Sequence, residues 1–498
     1  MPAARMSIGR ARLLGAAGSM LLAGSGFAAG ALPIDPPAWW GDWRPYSLPA
    51  LLFGYFGLAL MLVAWWWAGR GEGDARSDLI TLGLWCLPLV AAPPMFSRDV
   101  YSYIAQGAMV SASLDVYTNG VSTLGGRLAA QVAPMWQDTP TPYGPVFVGI
   151  CGLIATVAGT KLTVGVLGMR LTALAGVALL AFFVPRLAAR CGADPRAAFW
   201  LGVLNPLVPL HLVAGAHNDA LMLGLLAAGI YVAFGRAPGW REFAFAAVLV
   251  TLAALIKAPA AAGLLVVAFR WRSAWRTAAV AAATTLLVTI LTGTGFGWIT
   301  SLSAPIYKHS WSVSSALGRL TRPFMGEAGM RFWAWCGLIA AALIALWAWR
   351  NQRRIGAVYA LGLSLAALAV LGPVTRPWYA LWGLVPIAAA VTSPAMRRYC
   401  AIGSTALALL VLPNGFGPTD PIQLAVAGYG VALGVLVWLA LSGEPLGRGP
   451  WLQAVQGAPA PEQPDDRGDD RAVDLKSYAG GLSGPEWPLG PARWPARR

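Results

Sequence analysis

The chain of 498 residues is 57% hydrophobic and only 11% charged, with a mean hydropathy of +0.60. Soluble globular chains carry about 25% charged residues, so a soluble multidomain enzyme is excluded and the long apolar runs specify a polytopic membrane protein. The formal charge of +15 has to be read by position: residues 443–498 hold eight of the 21 acids and seven of the 36 bases, leaving 29 bases against 13 acids upstream.

Apolar runs lie near 11–31, 48–68, 77–94, 166–186, 196–213, 217–235, 241–257, 258–270, 275–292, 331–349, 355–372, 377–391, 398–413 and 421–441. They predict an all-α fold of about fourteen transmembrane helices, because roughly 30 Å of hydrocarbon needs about 20 apolar residues and lipid offers no partner to a free backbone group. The run at 258–270 is short and carries Pro259. A further apolar stretch, 143–160, decides the parity. If it is re-entrant and does not cross, 18 of the 29 bases fall on one side, among them Arg10/Arg12, Arg186/Arg190/Arg196 and Arg350/Arg353/Arg354. That is the positive-inside pattern of a cytoplasmic face. Both termini are then cytoplasmic, the N-terminal run is uncleaved, and two long loops face outward, about 95–165 and 293–330. The organisation expected is two N-terminal helices (1–76), a membrane module at 77–292 with outer loop 95–165, a second module at 293–442 with outer loop 293–330, and a disordered cytoplasmic tail at 443–498.

Acids are scarce, so each outward acid is informative. Asp99 follows a span directly, at the bilayer surface, and 99–112 can form an interfacial helix covered by Tyr101, Tyr103, Ile104 and Met109. A partly desolvated carboxylate there can act as a general base; it can equally N-cap the helix. Asp115 sits in the turn Leu114–Gly120, where self-capping and substrate binding both fit. Asp138 lies in the Pro-rich bend that ends at Tyr143. His211 and His217-Asn218-Asp219 hold two of the three histidines, at the ends of adjacent spans. An acid there is costly unless paired or functional, which leaves a polar knot between helices, a substrate contact, or, against the spacing of known sites, a metal. Lys308, His309, Arg319, Arg322 and Arg331 in the second loop, with Lys161, Lys257 and Arg376, are outward cations. Phosphate binding explains such a set, as does contact with lipid headgroups. The five cysteines read as small buried hydrophobes, and ten of the 24 tryptophans, those near span ends with Trp378 and Trp382 among them, as an aromatic belt. No metal or other cofactor is expected.

The set Ser97-Arg98-Asp99-Val100-Tyr101-Ser102-Tyr103 with Gln106-Gly107, the Asp115/Tyr117 turn, Pro142-Tyr143-Gly144-Pro145, Asn205-Pro206, Gly215-Ala216-His217-Asn218-Asp219 and Lys257-Ala258-Pro259 resembles the GT-C glycosyltransferases. Within them it is most similar to the actinobacterial polyprenol-phosphomannose-dependent α-1,6-mannosyltransferases of the MptA/MptB type, with MptB preferred. Asp-Val-Tyr stands at 115–117 where the family pattern has Asp-Pro-Tyr, and two spans rather than one precede the acid loop. The resemblance covers about 70–390. It implies Asp99 as catalytic base, transfer of mannose from polyprenyl-phosphate-mannose to a lipomannan-type glycolipid acceptor on the outer face, and no nucleic-acid partner. Substrate contacts are expected from Arg98, Tyr101, Asp115, Tyr143, His217, Asn218, Asp219, Lys308, His309, Arg322 and Arg376. The alternatives are a GT-C enzyme for an arabinosyl or glucosyl donor, which shares the fold and base, and a lipid-linked sugar transporter.

Overall fold

The computed structural model describes residues 7–442, apart from 37–40, 72, 236–237, 302–311 and 418–419. Lys308, His309 and the expected disordered tail therefore lie outside the described residues. The regular structure described is helical throughout. In chain order it comprises α1 (Ile8–Ala29), α2 (Ser47–Ala68), α3 (Ala75–Ala91), α4 (Asp99–Ser111), α5 (Pro145–Ala158), α6 (Leu162–Arg190) and α7 (Pro195–Gly202). Then follow α8 (Asp219–Ala233), α9 (Trp240–Ala254), α10 (Gly263–Trp271), α11 (Ala274–Thr292), α12 (Val313–Arg350), α13 (Ala357–Leu371), α14 (Ala380–Ala390), α15 (Pro394–Leu409) and α16 (Pro421–Ser442). Several starts carry ordinary caps: the Asp74 carboxylate accepts from the Ser77 amide (2.7 Å), and Asp194 precedes Pro195 at the first position of α7.

Among the described residues, five helical stretches are long and apolar enough to cross a bilayer alone: Arg44–Ala68, Leu162–Arg190, Ala274–Thr292, Val313–Arg350 and Pro421–Ala440. A sixth arises if the π-helical segment Val208–Ala214 and α8, bent by 113°, count as one span. Several of the other apolar runs are short or interrupted where proline removes a backbone donor. The 196–213 run breaks at Asn205-Pro206, the 258–270 run starts with a 3-10 turn around Pro259, and 377–391 starts with one at Pro377–Tyr379. The 143–160 stretch gives α5, whose 14 residues reach about 21 Å at 1.5 Å per residue.

Two expectations need correction. The 293–330 stretch is not a loop throughout: it is helical from Val313, with a break at Gly326 (φ 57°). And α4 forms where expected, but Tyr101, Tyr103, Ile104 and Met109 are buried in the protein core rather than laid on lipid. The cause is close packing on α5, where a Cβ on Gly107 would lie 2.2 Å from the Cys151 carbonyl oxygen. A second close approach fixes the start of α8. Gly176 of α6 sits so near it that a Cβ would be 2.2 Å from the Ala220 carbonyl carbon, the small-residue packing that membrane helices use.

Segments at the helix ends are tied in two groups by backbone bonds. The Met95 amide donates to Ala214 O (3.2 Å), Phe96 to Pro413 O (2.7 Å), and Val146 to Leu255 O (3.2 Å). Phe96 is left-handed (φ 62°), a conformation uncommon outside glycine. The first two ties join the segment after α3 to those before α8 and after α15, the third joins the segment after α9 to the start of α5, and the Lys257–Asp219 ion pair links the two groups.

Candidate active site

Each of these breaks contributes a polar side chain. Asp99 opens α4, His217-Asn218-Asp219 fill the bend into α8, Lys257 follows α9, and Arg376 precedes the turn into α14. At a helix break the backbone already has unpaired groups, so polar side chains can gather there without disrupting a continuous span.

The centre of the cluster is an ion pair. Lys257 Nζ donates to both Asp219 oxygens (2.8 and 3.0 Å), and Trp382 Nε1 donates to Asp219 Oδ1 (2.6 Å). Asp219 is 0% exposed. Aromatic rings surround the ammonium, with Tyr379 at 4.7 Å, Trp382 at 5.4 Å and Tyr143 at 5.8 Å from Nζ to ring centroid. On one flank His217 stacks on Trp378 at 3.9 Å, with His211 against the same indole at 5.3 Å. His217 Nδ1 faces the Tyr103 hydroxyl (3.3 Å) and Asp99 Oδ2 (3.7 Å).

Asp99 differs from Asp219 in one decisive respect: its side chain is 25% exposed. Burial raises its carboxyl above the usual carboxylate range. The charges of Arg376 and Lys257 and the Ser97 hydroxyl pull it back, and the Asp219 charge adds a smaller upward push. The result is a carboxylate that solvent reaches and whose pKa lies above the usual carboxylate range.

Residues 12–273 match the family model described as alpha-(1->6)-mannopyranosyltransferase, N-terminal domain, and 309–442 match the MptB C-terminal domain. A probable alpha-(1->6)-mannopyranosyltransferase of Mycolicibacterium smegmatis is 33% identical, with 92% of each chain covered. The chain belongs to the alpha-(1->6)-mannopyranosyltransferase family. An alpha-(1->6)-mannopyranosyltransferase of Mycobacterium tuberculosis is 32% identical over 88% of each chain. Alpha-(1->6)-mannopyranosyltransferase B of Corynebacterium glutamicum is 29% identical over 88% of this chain and 82% of its own. No solved structure matches.

In this member of the mannopyranosyltransferase family the structure brings Asp99, Tyr143, His217, Asn218 and Asp219 together, and Arg376 acts electrostatically on Asp99. Other expected contacts are engaged elsewhere. Arg98 donates to the carbonyls of Leu32 (2.8 Å) and Gln131 (3.1 Å), and Tyr101 to Ala31 O (2.6 Å). Asp115 caps its own turn through Tyr117 N and the Thr118 hydroxyl. Asp138 accepts from the Ser122 hydroxyl (2.6 Å). Arg322 pairs with Glu327 (2.8 Å) at an exposed position. Among the described residues, no three His, Cys, Asp or Glu side chains gather as metal ligands.

Sequence reasoning missed three features. Trp378 and Trp382 do not form a lipid belt; both are buried against the cluster. Lys257, expected to face phosphate or lipid headgroups, is paired with Asp219. Arg170, inside an apolar span, is buried and donates only to backbone carbonyls. The rule that an intramembrane charge demands a partner applies to Arg170 as it does to Asp219, and is the signal that finds it.

Proposed function

We propose that this enzyme transfers mannose from polyprenyl-phosphate-mannose to the 6-hydroxyl of an α-mannan glycolipid on the outer membrane face, in a GT-C-type fold of about fourteen crossings with cytoplasmic termini. The observation that carries the reading is Asp99: within a cluster whose other carboxylate is sealed and neutralised, it is the carboxylate that meets solvent, and burial raises its pKa. Asp99 takes the proton of the acceptor hydroxyl. The oxygen attacks the anomeric carbon from the face opposite the phosphate, the carbon–oxygen bond to phosphate breaks, and its electron pair leaves on polyprenyl phosphate. One displacement turns a β-linked donor into an α-linked product. Phosphate departs without protonation, so the second carboxylic acid of a glycosidase has no task here, and a cation stabilises the leaving charge instead. Arg376 fits that role. Lys308 and His309 remain candidates, and Arg322 would have to leave Glu327 to join.

The direct test supplies membranes containing the protein with labelled mannosyl-phosphoryl-polyprenol and an α-mannoside acceptor. Extension by α-1,6 units is expected. Transfer solely from an arabinosyl or glucosyl donor overturns the mannose assignment, and movement of donor across vesicles without transfer makes the protein a transporter.

Arg376→Gln gives a prediction with a sign. Losing a cation that favours ionised Asp99 raises the Asp99 pKa further. A base works above its pKa and fails as pH falls through it, so the acid limb of kcat/KM moves to higher pH. Loss of the phosphate contact lowers the plateau by about 100-fold. An unmoved limb disproves the coupling.

A further inference from the structure

Arg170 lies on α6, is 3% exposed, and makes no ion pair among the described residues. Its Nη1 donates to Val90 O (2.7 Å) and Ala92 O, and its Nη2 to Pro93 O (3.0 Å) and Ala214 O (3.3 Å). Three of these carbonyls end α3, where a helix leaves acceptors unpaired and its dipole favours a cation. Pro93 and Pro94 have no N–H with which to continue the helix. The fourth carbonyl belongs to the segment leading to His217, and it also accepts from Met95 N.

We propose that Arg170 is a positioning residue for catalysis, its guanidinium joining the segment that ends in Asp99 to the segment that ends in His217-Asn218-Asp219. The fixed fork of donors spans carbonyls of two segments at once; a lysine ammonium, with three donors at one point, does not. Asp99 and His217 stand 3.7 Å apart, and that spacing depends on two loops held by the Met95–Ala214 backbone bond and the Arg170 side chain. This inference rests on Asp99 as base, but its central test does not.

The test compares wild type with Arg170→Lys, which keeps the buried charge, and Arg170→Met as the more drastic variant. Hydrogen exchange read by mass spectrometry is expected to quicken in peptides covering 90–99 and 211–218 while α1 and α12 stay at wild-type rates. The kcat falls about 10- to 100-fold, as for a misplacement near 1 Å, with donor KM within about threefold. Arg376, Lys257, the Ser97 hydroxyl and Asp219 act on Asp99, its charge is felt by Tyr103, Tyr143 and Tyr379, and His217 is in contact. Loosening the loop eases the burial that dominates them, so the acid limb moves to lower pH. Exchange that rises throughout, with the limb in place, reduces Arg170 to general stability and overturns the proposal, as does Arg170→Lys with unchanged exchange and kcat. If Asp99→Asn stays fully active, the base assignment fails alone, and the exchange pattern still decides whether Arg170 joins the two segments.

Discussion

Replacing Asp99 by Asn reduces mannosyl transfer by about 10²- to 10⁴-fold, the usual contribution of a positioned general base, at unchanged protein level. Asn is close in shape, Asp99 is the first residue of α4 and makes no capping bond there, and the Ser97 hydroxyl still accepts from the backbone amide at 99 (3.0 Å). What disappears is the proton acceptor. Asp99→Glu moves the carboxylate by one methylene and retains partial activity. The measurement is product formed per unit of immunoblotted protein, with donor saturating. An Asp99→Asn enzyme of wild-type rate removes Asp99 from the mechanism and leaves the cluster without a reachable base.

Lys257→Met has the largest expected effect on stability. It strands Asp219 in a fully enclosed position with the Trp382 indole as its one remaining donor among the described contacts. Removing one partner of a buried ion pair costs about 3–5 kcal/mol, whereas removing both charges together is often close to neutral. Lys257→Met should therefore lower the unfolding temperature in detergent sharply, and Lys257→Met with Asp219→Asn should recover most of the loss. A double variant no better than the single one shows that the pair does not work as a unit. Activity is a second readout, because the pair holds the start of α8 against the segment that anchors Val146 through Leu255 O.

Much of this was legible in the order of residues. Apolar runs become helices because composition alone decides partition into lipid, and the breaks fall where Pro206, Pro259 and Pro377 deny a backbone donor. Scarcity made Asp99 and Asp219 conspicuous, and the family motifs carried Asp99 to the role proposed for it. The pairing of these residues was not legible. Asp219 finds Lys257 across 38 positions and Trp382 across 163, distances that no local pattern encodes. Arg98 and Tyr101 sit in the same motif as Asp99, but the turn out of α3 directs them to the carbonyls of Ala31, Leu32 and Gln131. Trp378 and Trp382 have the positions of belt residues and differ only in their neighbours. The span count from hydropathy exceeds the helices that qualify alone, because hydropathy does not register where a run bends.

The sealing of Asp219, His217 and Asn218 has a consequence for the fate of the donor. A glycosyl phosphate beside an activated water is hydrolysed, and hydrolysis wastes a lipid-linked sugar. Water is small and abundant, so an enzyme that transfers rather than cleaves has to deny it a place to be activated. In this cluster the second carboxylate is already bound to a lysine and an indole and is closed to solvent. On the mechanism proposed above, a stray water meets one acid of the described cluster, Asp99, at the position that an acceptor hydroxyl would fill, and the discrimination between transfer and waste is then decided by which of the two occupies it.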